Sequence, residues 1–139
     1  MPQPDLAAQV AHRAFDAVGD AISSRDYEPF IAMSADDGRF RIFSVLDEYR
    51  GRELTKAQAV TYHRREGEDW RFRAVVTRGR VLRDGDSSAF EFSHDGHAIV
   101  GPYGDQLVLV LDVEGDRIAT YREYAAGIDP RRIAKLQDL

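Results

Sequence analysis

A chain of 139 residues, 43% apolar and 31% charged, is long enough for one hydrophobic core and too apolar to stay disordered. Its net charge of −5 disfavours a nucleic-acid partner, which needs clustered basic surface, and the lack of cysteine excludes disulfides, thiolate metal sites and a cysteine nucleophile. The N-terminus has no basic and apolar signal region, and the longest apolar run, Leu107 to Leu111, is too short to span a bilayer, so a soluble cytoplasmic protein without a membrane partner is expected.

From Asp5 as N-cap, Leu6, Val10, Ala14, Val18 and Ile22 recur every four residues with Ala11 and Phe15 beside them, which predicts an amphipathic helix to Ser23. A shorter helix is expected from Tyr27 to Met33, capped by Asp26, with Pro29 in the first turn where a missing N–H does no harm. The turn residues Asp36-Asp37-Gly38 then lead into a strand, Phe40 to Val45. Thr55 and Gln58 have the spacing of a capping box and start a third helix, which should end at Gly67 as a left-handed C-cap.

Beyond Gly67 the apolar period falls to two, through Trp70, Phe72, Ala74 and Val76. Val81 breaks that phase and Gly79 lies between, which predicts a bulge that bends the sheet. Asp84-Gly85-Asp86 turns into a strand from Ser88 to Ser93, a glycine-rich loop spans Asp95 to Gly104, and Gln106 to Val113 turns at Glu114-Gly115-Asp116 into Arg117 to Ala125. No repeat or linker interrupts the chain, so residues 1–139 are expected to form one α+β domain: N-terminal helices on one face of a curved antiparallel sheet, closing incompletely around an apolar pocket.

This order of elements, with Glu114-Gly-Asp-Arg-Ile-Ala-Thr-Tyr-Arg-Glu-Tyr124 at its end, resembles the nuclear transport factor 2-like superfamily, specifically its SnoaL-like branch. Asp95-Gly-His-Ala-Ile-Val-Gly-Pro-Tyr-Gly104 and Ser34-Ala-Asp-Asp-Gly-Arg-Phe40 are similar to weaker stretches of that family. The resemblance implies a cone-shaped α+β barrel, a homodimer and a pocket for a small apolar organic molecule, in a family that includes ketosteroid isomerases, polyketide cyclases, dehydratases and epoxide hydrolases. The isomerase-type catalytic positions correspond here to Val18, Ile42 and Leu109, which cannot do that work. Ala89-Phe90-Glu91 lacks the arginine of the epoxide-hydrolase pair, and Ser44-Val-Leu-Asp47 lacks the paired histidines of the aromatic cyclases.

Glu123 is the candidate working carboxylate. Strand parity groups it with Ala119 and Tyr121 against Ile118, Thr120, Arg122 and Tyr124, leaving the buried face open, and the resemblance turns Glu123 inward. A carboxylate in an apolar pocket is pushed toward neutrality and can exchange protons with substrate; on the outer face it would form a cross-strand salt bridge instead. His94 follows Phe90 and Phe92 at period two and could protonate a substrate oxygen or serve as a core histidine, and Tyr121 is the best placed phenol donor among Tyr49, Tyr62, Tyr103 and Tyr121. Phe15, Phe43, Trp70 and Phe72 are core or pocket wall, Val18, Leu109, Tyr62, Phe90 and Phe92 are further candidate walls, and His97 could reach the pocket mouth or stand in solvent. His94 and His97 give two metal ligands without a third, so no metal is expected, and no nucleotide or phosphate motif calls for a cofactor. His63, Arg64, Arg65 and Glu66 read as a helix end whose cations complement the dipole. The function expected is acid-base isomerisation, cyclisation or elimination on an apolar oxygenated substrate, polyketide- or terpenoid-like. The alternatives are a non-catalytic ligand-binding or dimerisation domain, and epoxide-hydrolase-like chemistry using Glu123 or Glu91.

Overall fold

The computed structural model describes residues 5–43 and 51–126, apart from the side chain of Tyr103; Val45, the Ser44–Asp47 segment and Tyr49 lie outside the described residues. Helix α1 (Leu6–Ser24) is capped by Asp5, whose carboxylate accepts from the Ala8 N–H, and it buries Val10, Ala11, Ala14, Phe15, Val18, Ala21 and Ile22. Leu6, the first member of the expected stripe, is instead 52% exposed. Helix α2 (Glu28–Ala32) is one residue shorter at each end than expected. Asp26 does accept from the Glu28 N–H, but Tyr27 occupies the cap position.

Strand β1 (Ser34–Phe43) absorbs Asp36-Asp37-Gly38, expected as a turn, in a register irregularity between Ser34 and Arg39. A short strand β2 (Glu53–Thr55), invisible to periodicity at three residues, pairs with it. Helix α3 (Lys56–Glu68) begins with the expected capping box, both bonds formed by Thr55 and Gln58. Its end differs: Gly67 lies inside the helix and Asp69 caps it in a right-handed conformation. The Arg25 side chain lies 3.4 Å from where a Cβ on Gly67 would stand, an ordinary contact distance.

Strands β3 (Arg73–Asp84), β4 (Ser87–Ala98), β5 (Gly101–Glu114) and β6 (Arg117–Ala126) complete a sheet of order β2-β1-β6-β5-β4-β3. Trp70 and Phe72 precede β3 rather than belonging to it. The bulge around Gly79 is present between Arg78 and Val81. The glycine-rich stretch 95–104 is not a loop. The β4–β5 ladder runs through it, from His94 opposite Asp105 to Ala98 opposite Gly101. Gly96 is needed there because a Cβ would stand 2.0 Å from the Arg73 carbonyl oxygen, so the missing side chain permits close strand approach. Neighbouring strands are antiparallel except β1 and β6, whose parallel pairing no hairpin pattern foretold.

The result is a large, curved, unclosed sheet with helices over its inner face. Under α1, Phe15 stacks on Phe90 at 4.6 Å and meets Phe92 edge-on, and Leu107, Leu109 and Leu111 fill the floor. No helix among the described residues is long and apolar enough to cross a membrane.

Candidate active site

Beyond that apolar floor, β4, β5 and β6 carry polar side chains inward, and α2 and α3 cover them. On β6 a register shift sets Val113 opposite Ile118 but Asp112 opposite Thr120. The extra residue, Ala119, changes the phase, so Ile118 and Tyr121 are both buried on the inner face, correcting the simple alternation that separated them. Glu123 follows on Tyr121's side and accepts a hydrogen bond from its hydroxyl at 3.3 Å.

The small enclosed cavity here is lined by Val18, Ile22, Tyr27, Phe30, His63, Glu66, Phe72, His94, Tyr121 and Glu123. Its volume is about 20 Å³, room for a single water. Burial, reinforced by the nearby Glu66 carboxylate and opposed by His94 and His63, pushes the Glu123 carboxyl up to about 7. Burial and the same carboxylates push the Tyr121 phenol well above its ordinary range, so it stays a hydrogen-bond donor.

Two imidazoles share the cavity, each beside its own acid. His94 Nδ1 lies 3.0 Å from Asp105 Oδ1, with both side chains at most 5% exposed, but off the N–H axis, so the contact is an ion pair rather than a directed hydrogen bond. Burial alone would lower the His94 pKa; the Asp105 carboxylate, helped by Glu123 and Glu66, outweighs it and holds His94 above its usual value. The β4–β5 ladder delivers this pair by making the two residues direct cross-strand neighbours. One turn apart on α3, His63 Nδ1 and Glu66 Oε1 are 2.9 Å apart. The Nε2 atoms of both rings are buried without a hydrogen-bond partner among the described residues.

Of the residues singled out from sequence, Glu123, His94, Tyr121, Val18 and Phe72 meet at this cavity. Phe15, Phe90, Phe92 and Leu109 are buried in the floor under α1 and do not line it. Tyr62 and Trp70 are buried together edge-to-face at 6.3 Å. Phe43 stacks on Tyr124 at 4.7 Å, on the face opposite Phe40 and Ile42. His97 is exposed on β4, because the expected loop is strand, and Glu91 is held by Arg80 at 3.2 Å, away from the cavity. His63, Glu66 and Asp105 were missed. Asp105 shares the period-two phase of Leu107, Leu109 and Leu111, a signal hidden by reading 95–104 as loop. His63 and Glu66 stand at i and i+3, but the basic residues between them masked the pairing. Among the described residues no group of three acid or histidine side chains is gathered to hold a metal.

A second, open space lies on the outside of the helices. This groove of about 750 Å³ runs between α2 and α3 and is lined by Arg25, Tyr27, Ile31, Val60, His63 and Arg64 among others.

No family model and no curated protein matches the chain. Among solved structures, a nuclear transport factor 2-like protein from Anabaena variabilis aligns with a TM-score of 0.81 at 24% identity, over 91% of this chain and 95% of that one. The chain has the nuclear transport factor 2-like fold. A putative isomerase from Bacillus subtilis shares this fold with a TM-score of 0.74 at 20% identity, over 86% of this chain and 88% of that one. AusH from Aspergillus nidulans shares it with a TM-score of 0.71 at 15% identity, over 91% and 88%. In the nuclear transport factor 2-like frame, the Glu123 cavity lies between the inner sheet face and the helices, as expected of a pocket protein of this fold.

Proposed function

We propose that the protein is a cofactor-independent isomerase, cyclase or lyase that moves a proton on an apolar oxygenated substrate through Glu123. The observation that carries this reading is a carboxyl group held near neutrality, at about 7, beside a protonated phenol and a carboxylate-paired imidazole. Such a group both accepts and returns a proton at physiological pH. Glu123 takes a proton from a carbon next to a carbonyl, the C–H electron pair moves toward the carbonyl oxygen, and the raised His94 donates to that oxygen. Return of the proton from Glu123 to another carbon, while the enol oxygen gives its proton back to His94, completes an isomerisation. Tyr121 holds the carboxylate in place.

The test is exchange of the α-protons of a cyclic ketone such as β-tetralone in heavy water, followed by NMR. Glu123→Gln should slow the protein-dependent exchange by about 10²–10⁴-fold. Undiminished exchange in that variant would reject the role. The non-catalytic reading as a dimerisation domain is favoured by one observation, the cavity of only about 20 Å³. It predicts no protein-dependent exchange with either protein. Epoxide-hydrolase-like chemistry would fall to Glu123 alone, since Arg80 holds Glu91. Self-association through the outer sheet face, where Val75 and Tyr124 are exposed, and a cytoplasmic location belong to the same proposal.

A further inference from the structure

The inner cavity and the outer groove have two lining residues in common, Tyr27 and His63. Their rings stack at 4.3 Å, nearly parallel at 13°. This pair is therefore the partition between a groove of about 750 Å³ and a chamber of about 20 Å³ that holds Glu123. The chamber as it stands admits nothing larger than water, so an organic substrate that enters it from the groove must part the two rings.

The halves of the partition are not equally fixed. His63 sits in a helix of 13 residues, its Nδ1 is tied to Glu66, and it packs edge-on against Tyr62 at 5.5 Å and Phe30 at 6.2 Å. Tyr27 caps a helix of five residues without a side-chain capping bond. Its buried hydroxyl lies near the Arg25 guanidinium but makes no directed hydrogen bond. Swinging Tyr27 into the groove loses one stack, and restoring water to that hydroxyl offsets part of the loss. What it leaves behind is a flat imidazole face with a second aromatic edge beside it, a surface that selects a planar ring over a puckered one.

We propose that Tyr27 is the gate of the inner chamber, and that a planar unsaturated ring of the substrate takes its place against His63 after arriving through the groove between α2 and α3. The inference rests on the reading of Glu123 as the reacting carboxylate and narrows the substrate to molecules with such a ring. It assigns Tyr27 a positioning and specificity role, distinct from proton transfer.

The experiment compares wild type, Tyr27→Phe and Tyr27→Ala for binding of 1-naphthol, followed by its fluorescence, with the fully saturated decahydro-1-naphthol as competitor. A gate open about a tenth of the time weakens apparent affinity about tenfold. Tyr27→Ala should therefore bind naphthol about tenfold tighter and faster than wild type. Tyr27→Phe, which keeps the ring and frees it of the hydroxyl, should retain slow binding, and the saturated competitor should displace naphthol poorly throughout. In the same samples diethyl pyrocarbonate should label His63 faster in Tyr27→Ala, with exposed His97 as the internal reference, and naphthol should protect His63 but not His97. Equal naphthol binding by all three proteins, or no protection of His63, would overturn the gate. Binding is measured without turnover, so the two readings fail separately: loss of exchange in Glu123→Gln with unchanged naphthol binding in Tyr27→Ala keeps the acid and discards the gate.

Discussion

Two carboxylates on neighbouring strands of the same sheet face opposite ways, and their surroundings give them opposite properties. Asp112, on β5, is partly buried, which alone would raise its pKa. The Ser87 and Thr120 hydroxyls donate to it, Arg122 stands 3.3 Å away, and together they hold it below its ordinary range. Among the described residues Glu123, on β6, accepts from the Tyr121 hydroxyl alone, and the Glu66 carboxylate adds to the effect of burial. Donors and a cation make the outer acid a structural anion. Desolvation and a like charge make the inner one a proton carrier.

The largest expected effect on this contrast is on rate. If the inner acid does the work, proton exchange in the wild type should vary with pH around 7 and fall about 10²–10⁴-fold in Glu123→Gln, while Asp112→Ala leaves the pH profile in place.

A stability effect comes next. Glu123 ionises at about 7 in the folded chain and at about 4.5 unfolded, so its protonated form stabilises the fold fully below 4.5 and that contribution is lost as pH rises through 7. Ionising it in the folded protein costs about 3 kcal/mol. Glu123→Gln should therefore unfold at higher denaturant than wild type at pH 8 by up to about 3 kcal/mol, with the gap closing toward pH 4.5. Asp112 works in the other sense. Its depressed pKa stabilises the fold above 3.8 and that contribution is lost as pH falls below it, so Asp112→Ala should lose about 1–3 kcal/mol at pH 7 and less in acid. The smallest effect belongs to Arg122→Gln, about 0.2–1 kcal/mol by denaturant unfolding, since its ion pair with Asp112 is partly exposed and the two hydroxyl donors remain.

The comparison also explains what could be read from the chain. The capping box at Thr55 and Gln58, the α1 stripe and the bulge at Gly79 are local signals, and local signals survive folding. Glycine was the ambiguous letter. Gly96 reads as loop, yet it is there because another segment, Arg73, passes too close for a side chain, and Gly67 reads as a cap but lies inside α3. That is tertiary information. The same misreading hid Asp105, since a loop through 95–104 has no inner face. Glu123 was legible as an acid but not as an inward one, because the bulge at Ala119 resets the strand phase and no alternation pattern foretells it. The Tyr27–His63 stack and the His63–Glu66 pair depend on α2 and α3 meeting, which periodicity within either helix does not encode.

The most direct test is the titration of the Glu123 side chain itself, by carbon-13 NMR of protein labelled at the glutamate carboxyls, with Glu123→Gln to assign the signal. An apparent midpoint near 7 is predicted, shared in part with His94, whose charge opposes the shift. A midpoint at the ordinary 4.5 would contradict the assignment of Glu123 as a neutral-pH proton carrier.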